Sequence, residues 1–316
     1  MSDQRRKIII DCDPGHDDAV AIMLAARNPK LELLGITTVR GNQTLEKVTR
    51  NALNICQYLN IDVPVCKGLG EGIVRMSPPV EERVHGDSGL DGPVFAPLTK
   101  ELDPRHAVDF IVETVMASDT PVTLVPTGPL SNIAMAIKKE PKILEKIEEI
   151  VLMGGAYQHG NVTPAAEFNI YADAEAAYAV FTCGRPVVMM GLDLTRQALC
   201  YPEVVERMSK VKTTAGKLFV DLMHFFCMTQ KRVFGWAGGP LHDPTTIAYL
   251  IDPSCIETKE MYTEIDITGG PSHGRTNCDY FNLRTDVPKN SKVAVKLDVD
   301  KFWDIVEDNL KLYDAI

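Results

Sequence analysis

The sequence predicts an α/β protein: a single open, mostly parallel, doubly wound sheet flanked by helices, with a small antiparallel addition near the C-terminus. Two observations predict this class. Over the first two thirds of the chain, short runs of apolar and β-branched residues alternate with longer segments whose apolar residues recur at helical spacing. Toward the C-terminus, 261–268 alternates polar and apolar residues like a partly exposed strand, and 292–299 is a second such strand. We therefore expect residues 1–316 to form one domain.

The predicted elements follow one another in regular order. The predicted strands are Ile8–Ile10, Leu31–Val39, Val63–Val65, Val122–Val125, Ile150–Met153 and Pro186–Leu192. The predicted helices cover 19–26, 44–59, 105–118, a segment capped by Ser131 or Asn132, 173–183, two pieces within 202–232, and 300–313. Between them, 68–104 is rich in Gly and Pro and has little periodicity. A loop of that length inside a compact domain is usually functional or disordered, so we expect it to be able to close over a ligand.

Composition and charge disfavour several classes of protein. The net charge of −10 disfavours nucleic acid or an anionic membrane as a partner, and also a phosphorylated substrate unless a metal offsets the repulsion. No apolar stretch is long enough to span a bilayer, and no apolar leader segment follows Met1–Lys7. The eight cysteines lack CxxC spacing and are expected to be reduced. We therefore expect a cytoplasmic protein.

Four carboxylates stand where the first strand meets the first helix: Asp11, Asp13, Asp17 and Asp18. Asp11 and Asp13 share one face of the strand, because strand side chains alternate with a period of two. Asp17 and Asp18 fall at the start of the helix, where the helix dipole tolerates anions. So many carboxylates repel one another unless a cation joins them, and an oxygen-only set suits calcium or magnesium better than zinc. The sequence predicts a hard-metal site here; a solvated, helix-capping acidic turn is the alternative.

Polar residues also follow other predicted strands. Asn42 comes after the second strand, Thr127 after the strand at 122–125, and Gly154 after the strand at 150–153. In open parallel sheets, ligands bind beyond the carboxyl ends of the strands. Strand ends are also turns, in which Asn, Thr and Gly are common, so these positions support a ligand site only moderately.

The loop 160–169 carries a second group of polar side chains. Asn161, Glu167 and Asn169 surround the aromatic Phe168. A carboxylate accepts hydrogen bonds and an amide both accepts and donates them, so this set can hold the hydroxyl groups of a sugar. A turn-rich loop, followed by the N-cap of the helix near Asp173, is the alternative interpretation.

A third motif is the segment 238–244, which contains His242 and Asp243. Asp243 precedes a proline, and that pattern is typical of a helix N-cap, because proline suits the first helical position. A single histidine near a helix start is more often a capping or surface residue than a functional one.

Together the three motifs resemble the nucleoside hydrolases, the inosine-uridine preferring N-ribohydrolases. The segment Asp-Cys-Asp-Pro-Gly-His-Asp-Asp-Ala at 11–19 is similar to the N-terminal signature of that family, and the resemblance extends from Ile8 to the final helix. The base-facing residues are most similar to those of the bacterial pyrimidine-specific branch. This resemblance, rather than composition or periodicity, supplies the substrate class.

The resemblance implies one Ca²⁺ and a set of ribose contacts. The metal would be held by Asp13, Asp18 through both oxygens, the backbone carbonyl of Thr127, and Asp243, with Asp11 behind them. The ribose hydroxyls would be held by Asp17, Asn42, Asn161, Glu167 and Asn169. A water on the metal would be the nucleophile, with Asp13 as its general base.

The resemblance also implies residues around the base. His85, Gln230 and His242 match the pyrimidine-preferring set, with His242 also counted as catalytic, and Phe168 and Phe234 complete the substrate contacts. Phe234 stands where a tyrosine hydroxyl is expected, which affects how the leaving base is stabilised. The neighbouring pair at 225–226 is expected to pack on the helix face only.

The function implied is calcium-dependent hydrolysis of ribonucleosides, with cytidine and uridine preferred, giving free base and ribose for nucleoside salvage. Homodimers or homotetramers are implied in the same way. Two alternatives stay open. The missing hydroxyl at Phe234 suggests a metal-dependent nucleoside-binding protein without turnover. A phosphatase of the haloacid dehalogenase type also begins with a strand that ends in Asp-x-Asp, but Pro14, Gly15 and the two extra aspartates disfavour it.

Overall fold

The computed structural model of the protein describes residues 5–80 and 82–316, so the expectation about the first residues of the chain falls partly outside the described residues. The strands are β1 (Arg6–Cys12), β2 (Leu31–Thr38), β3 (Val65–Lys67), β4 (Val122–Pro126), β5 (Ile147–Met153), β6 (Val187–Met190), β7 (Leu199–Cys200), β8 (Gly239–Pro240), β9 (Ile256–Met261), β10 (Thr263–Ile265), β11 (Thr276–Cys278) and β12 (Ser291–Leu297).

The helices alternate with the strands over most of the chain. They are α1 (His16–Arg27), α2 (Leu45–Tyr58), α3 (Glu82–His85), α4 (Ala107–Ala117), α5 (Ser131–Lys139), α6 (Phe168–Ala172), α7 (Ala174–Phe181), α8 (Leu192–Thr195), α9 (Pro202–Met208), α10 (Thr214–Phe234), α11 (Pro244–Ile251) and α12 (Val299–Leu310). Two 3₁₀ turns lie at Pro141–Lys146 and Pro253–Cys255.

Eight strands form one sheet in the order β3-β2-β1-β4-β5-β6-β12-β9. The pairs within it are parallel, except that β9 runs antiparallel to β12 at the edge. In the sheet, β2 and β3 lie on one side of β1, and β4, the next strand along the chain, lies on the other side of β1. This reversal is a topological switch point, the position where open α/β sheets bind ligands. The predicted fold class is confirmed, including its antiparallel addition.

The alternation of side chains along β1 divides the core between the two faces of the sheet. Ile8 and Ile10 pack on one face, which α1, α2, α10 and α12 cover. Ile9 packs on the other face, with α4, α5 and α7. All three isoleucines are no more than 1% exposed. Strands buried on both faces read as continuous apolar runs, and this explains why the run at 8–10 shows no alternation.

The predicted strand over 261–268 is wrong in its bounds. β9 ends at Met261, and β10 instead pairs antiparallel with β11. The side-chain amide of Asn290 separates the two strands, since it accepts from the Thr263 amide at 2.8 Å and donates to the Thr263 carbonyl at 2.8 Å. A local sequence pattern could not reveal where β9 ends, because Asn290, the residue that separates the two strands, lies 27 positions after Thr263.

The segment 68–104, in which the sequence shows little periodicity, contains the short helix α3. The hydroxyl of Thr229 on α10 donates to the carbonyl of Val84 at 2.8 Å and so attaches α3 to the long helix. All eight cysteines are free thiols, as expected. Within the described part of the chain, the helices lack the length and apolar character needed to cross a membrane.

Candidate active site

A cavity of about 330 Å³ opens at the carboxyl ends of the central strands. The predicted site residues that line it are Asp17, Asn42, His85, Thr127, Asn161, Glu167, Phe168, Asn169, Gln230, Phe234, His242 and Asp243. The other predicted site residues, Asp11, Asp13 and Asp18, are at most 1% exposed and are not among the residues that line the cavity. Three separate sequence motifs therefore meet at one place.

Three carboxylates approach one another at the floor of the cavity. Asp17 and Asp18 occupy the first turn of α1, and Asp243 directly precedes α11. One oxygen from each lies within 4.8 Å of the others, a spacing that a single cation can bridge. Asp18 is fixed by the Thr127 hydroxyl at 2.8 Å and by the Gly15 amide at 3.0 Å. The resemblance assigned Asp17 to the ribose, and the structure also brings its carboxylate close to those of Asp18 and Asp243.

Asp13 lies next to that group and has one unsatisfied oxygen. Its Oδ2 accepts from the backbone amide of Asn42 at 2.6 Å, but its Oδ1 is buried without a hydrogen-bond partner among the described residues. The backbones of Gly41 and Gly128 lie close to this carboxylate, and a Cβ on Gly128 would lie 2.7 Å from Oδ1. A buried carboxylate oxygen without a donor is costly, and a bound cation would satisfy it.

Burial and mutual repulsion raise the pKa values of these carboxyl groups. The pKa of Asp17 rises to about 7, through loss of solvation and then through the charge of Asp18. Loss of solvation also raises the pKa of Asp13 and that of Asp243 well above their usual range. The all-oxygen donor set fits a hard cation, because such an ion would return these groups to their ionised form.

Asp11, which the resemblance placed behind the metal, is fully buried near the end of β1. Its Oδ1 accepts from the Thr37 hydroxyl at 2.6 Å and from the Asn132 side-chain amide at 2.8 Å. Burial raises the pKa of Asp11 to about 6, although both hydrogen bonds oppose the rise. The carboxylate thus ties β1 to β2 and α5 beneath the cavity floor.

Two residues of the loop 160–169 are held by the protein itself. The Asn169 amide donates to the carbonyls of Thr127 at 2.8 Å and Met153 at 3.2 Å. Glu167 caps α6, because its carboxylate accepts from the backbone amides of Asn169 and Ile170, and it also accepts from the Gly155 amide. Glu167 therefore caps α6 and also lines the cavity, and burial raises its pKa to about 7.

The remaining predicted ribose contacts lie at the sides of the cavity. The side-chain amide of Asn42 donates to the Asp13 carbonyl at 3.2 Å, which anchors Asn42 beside the carboxylates. Asn161 is exposed, and its side-chain oxygen accepts from the Phe168 amide at 2.9 Å. Phe168 is half-buried and lines the cavity.

Histidines and α10 form the other end of the cavity. Gln230 is 4% exposed and Phe234, one turn later, is 49% exposed, and both line the cavity. The Nδ1 atom of His242 lies 2.6 Å from the Thr195 hydroxyl. Loss of solvation lowers the pKa of His242 to about 3 and that of His85 well below its usual range, so both rings are neutral at physiological pH.

Several lining residues were not predicted. Arg196 and Trp236 line the cavity, and the Arg196 guanidinium donates to the Gly160 carbonyl at 3.0 Å. Phe226 was expected to serve packing alone, yet it lines the cavity and stacks against His85 with ring centroids 5.6 Å apart. No local signal identifies the arginine or the tryptophan, because neither belongs to a motif and only tertiary packing brings them to the site.

The fold and the site together define a class of protein: a parallel α/β enzyme with a small-molecule cavity that has carboxylates at its floor. Comparison with known proteins identifies the family within that class. The family model for inosine-uridine preferring nucleoside hydrolases matches residues 8–304. The pyrimidine-specific ribonucleoside hydrolase RihB of Escherichia coli K12 is 56% identical over 310 residues, which is 98% of each chain.

Solved structures agree with that assignment. A purine-preferring ribonucleoside hydrolase from Gardnerella vaginalis has a TM-score of 0.89 at 37% identity, covering 97% of this chain and 99% of that one. A plant nucleoside hydrolase has a TM-score of 0.90 at 30% identity, covering 98% of this chain and 99% of that one. The chain belongs to the inosine-uridine preferring nucleoside hydrolase family, and by class it is an N-glycosyl hydrolase.

Proposed function

We propose that this protein hydrolyses the N-glycosidic bond of pyrimidine ribonucleosides, cytidine and uridine, in a calcium-dependent reaction that gives free base and ribose. The observation that carries the proposal is the carboxylate floor of the cavity, where three carboxylates converge beside the unsatisfied Oδ1 of Asp13. The pyrimidine preference is supported by the similarity to relatives that are named pyrimidine-specific.

Asp13, Asp18, Asp243 and the Thr127 carbonyl are the proposed ligands of one Ca²⁺. Calcium takes six to eight oxygen ligands in flexible geometry, which suits carboxylates, a backbone carbonyl and substrate hydroxyls. Calcium bound there would orient a water molecule and ease its deprotonation. Asp17 stands close enough to this group to contribute as well, although we assign it to the ribose hydroxyls.

Asp13 is the proposed general base. Its Oδ1 has no hydrogen-bond donor among the described residues to displace, so it can accept the proton of an attacking water directly. Its Oδ2 is held by the Asn42 amide at 2.6 Å, and this contact fixes the orientation of the carboxylate. Calcium is a weaker acid than zinc, so a carboxylate base next to it remains useful.

The ribose is proposed to lie over this floor. Its hydroxyls would be held by Asp17, Asn42, Asn161, Glu167 and Asn169. Cleavage of a glycosidic bond passes through a sugar with oxocarbenium character. The buried carboxylates and amide oxygens around the sugar would stabilise that positive charge, since they are already oriented and are largely shielded from water.

The base is proposed to lie at the other end, among His85, Gln230 and His242 and against Phe168 and Phe234. His242 is neutral and held by Thr195, so it can hydrogen-bond the departing base as catalytic residue. Phe234 offers a ring but no hydroxyl, so stabilisation of the leaving base falls to His242 and Gln230.

The remaining features of the proposal concern the whole molecule. We infer one domain over 1–316, because eight strands share a single sheet. We also infer a cytoplasmic homo-oligomer, a dimer or a tetramer, that acts on small nucleosides rather than on nucleic acid or membranes, in keeping with the net charge of −10.

Release of free base from uridine, cytidine, inosine and adenosine tests the proposed activity. Each reaction is run with calcium, with a chelator, and with and without phosphate. We expect release from the two pyrimidine nucleosides that needs calcium and does not need phosphate. A requirement for phosphate would indicate a phosphorylase, and nucleoside binding without release would indicate a binding protein.

A further inference from the structure

His16 is a buried histidine that the proposed mechanism does not use. It is the first residue of α1, with 0% of its surface exposed. Its ring stacks between neighbours on α10, with centroids 5.4 Å from Phe225 and 5.3 Å from Phe226. A polar ring enclosed by aromatic rings needs hydrogen bonds at both nitrogens. His16 has both: Nε2 lies 2.8 Å from the Asp91 carbonyl, and Nδ1 lies 3.1 Å from Nδ1 of His85.

These two contacts fix where the protons lie. A carbonyl oxygen only accepts, so His16 Nε2 must carry a hydrogen. Because the ring is wholly buried, the neutral form is favoured, and its Nδ1 then carries a lone pair. The 3.1 Å contact between the two Nδ1 atoms needs one hydrogen, which must come from His85. In the neutral His85 ring, the lone pair is then on Nε2.

The loop that follows α3 holds the Asp91 carbonyl, the acceptor for His16, in place. The Asp91 amide donates to the His85 carbonyl at 3.3 Å, and the Asp91 carboxylate accepts from the amides of Asp87 at 3.1 Å and Ser88 at 3.2 Å. The Asp91 carbonyl is therefore a fixed acceptor for His16. Gly15 leaves room for the arrangement, because a Cβ there would lie 2.7 Å from His85 Nδ1.

We propose that His16 is a positioning residue that holds His85 in the tautomer protonated at Nδ1, so that Nε2 meets the nucleobase as a hydrogen-bond acceptor. Nε2 is the ring nitrogen left for the cavity, since Nδ1 faces His16 and His85 lines the cavity. The ligand group it selects is an N–H donor on a base, such as the ring N–H of uracil or the amino group of cytosine. Phe226 stacks on both histidines and keeps the pair aligned.

The tautomer can be measured without any substrate. In protein labelled with ¹⁵N-histidine, long-range ¹H–¹⁵N correlation spectra separate a protonated ring nitrogen from one with a lone pair. We expect His85 to show a protonated Nδ1 and a lone-pair Nε2 near neutral pH, and His16 to show the opposite pattern. A His85 ring protonated at Nε2 would overturn the proposal, whether or not the protein cleaves nucleosides.

Kinetics test the consequence for the reaction, which rests on the proposed function. His16→Phe keeps an aromatic ring but removes the acceptor, and we expect kcat/KM for uridine to fall about tenfold, the effect of one lost hydrogen bond. His16→Asn returns an acceptor near the position of Nδ1 and should recover much of the loss. His224→Phe, at an exposed position on α10, is the matched control and should change nothing.

A double-mutant cycle separates positioning from general damage. If His16 acts through His85, then His16→Phe should have no further effect once His85→Ala is in place. Calcium affinity should be unchanged in His16→Phe, which excludes a disturbed α1 as the cause. Additive losses in the double mutant, or a loss of calcium affinity equal to the loss of rate, would contradict a positioning role. If the wild-type protein released no base, the proposed function would be wrong, but the tautomer measurement would still test the positions of the protons on His16 and His85.

Discussion

The side-chain amide of Asn169 donates a 2.8 Å hydrogen bond to the carbonyl oxygen of Thr127. That carbonyl is a proposed calcium ligand, so the ribose-binding loop and the metal site are joined by one contact. A carbonyl oxygen has two lone pairs and can accept from Asn169 while it faces a cation. Asn169 can therefore orient the Thr127 carbonyl toward the carboxylates.

Replacing Asn169 should weaken catalysis through this contact. In Asn169→Ala, the carbonyls of Thr127 and Met153 lose their donor, and a buried group left unsatisfied costs about 1–3 kcal/mol. We expect kcat/KM for uridine to fall by roughly ten- to a hundredfold, together with a weaker calcium affinity. Asn54→Ala, on α2 outside the cavity lining, is the control. Equal rates in the two variants would remove the role given to Asn169.

Calcium binding should depend on pH in a defined direction. The pKa of Asp17 is raised from 3.8 to about 7, so its protonated form stabilises the metal-free fold below pH 3.8 and this contribution is lost as the pH rises through 7. Calcium needs the ionised groups, so its stabilising effect should grow over the same interval.

Thermal unfolding with calcium and with chelator checks this relation. The calcium-induced increase in Tm should be larger at pH 8 than at pH 5, and at a hundredfold excess over Kd the stabilisation is about 2.7 kcal/mol. Asp243→Asn removes one ligand and one titrating group, and it should abolish most of the increase. A Tm increase that is independent of pH would mean that calcium binds elsewhere.

The glycines around Asp13 should be intolerant of a side chain. A Cβ at Gly41 would overlap the Asp13 carboxylate, which cannot move aside because it is buried against Gly128. We expect Gly41→Ala to lose calcium binding and nearly all activity. Gly70→Ala is the matched control, since its Cβ would meet only Leu45 at 3.6 Å, an ordinary contact. Activity assays and calcium titrations on both proteins measure the difference, and a fully active Gly41→Ala would show that Asp13 need not hold its position.

The missing hydroxyl at Phe234 should matter less than the resemblance suggests. Phe234 is 49% exposed, so a hydroxyl in Phe234→Tyr would be solvated and its hydrogen bonds would contribute little net energy. We expect kcat/KM for uridine to change by less than about threefold. Gln230→Ala, by contrast, removes a polar group that is 4% exposed and should reduce kcat/KM at least about tenfold. A large gain in Phe234→Tyr would show that the helix end closes over the substrate during turnover.

Much of the site could be predicted from the sequence because its residues lie in dense local motifs. The four aspartates within 11–18 indicate a hard-metal site by chemistry alone, and the parallel fold predicts that strand ends converge. The substrate class came from the resemblance to a known family. The spacing between individual side chains was less accessible: only the folded chain shows that an oxygen of Asp17 lies within 4.8 Å of oxygens of Asp18 and Asp243.

The contacts between distant segments could not be predicted from local patterns. His16 and His85 are 69 positions apart, and no periodicity connects them. Arg196 reaches the loop at Gly160 only because α8 follows β6 at the adjacent strand end. The helix α3 was missed for a similar reason, since it is held by Thr229 rather than by its own four residues. Tertiary contacts determine all three.

The rate of uracil release from uridine during a calcium titration of chelator-treated protein tests the central claim most directly. Calorimetry on the same sample measures how much calcium is bound. We predict that the rate rises in proportion to occupancy of one site per chain, and that Asp13→Asn binds calcium more weakly and stays nearly inactive even when saturated. Undiminished release in the presence of chelator, or a calcium-saturated Asp13→Asn that works at the normal rate, would contradict the account.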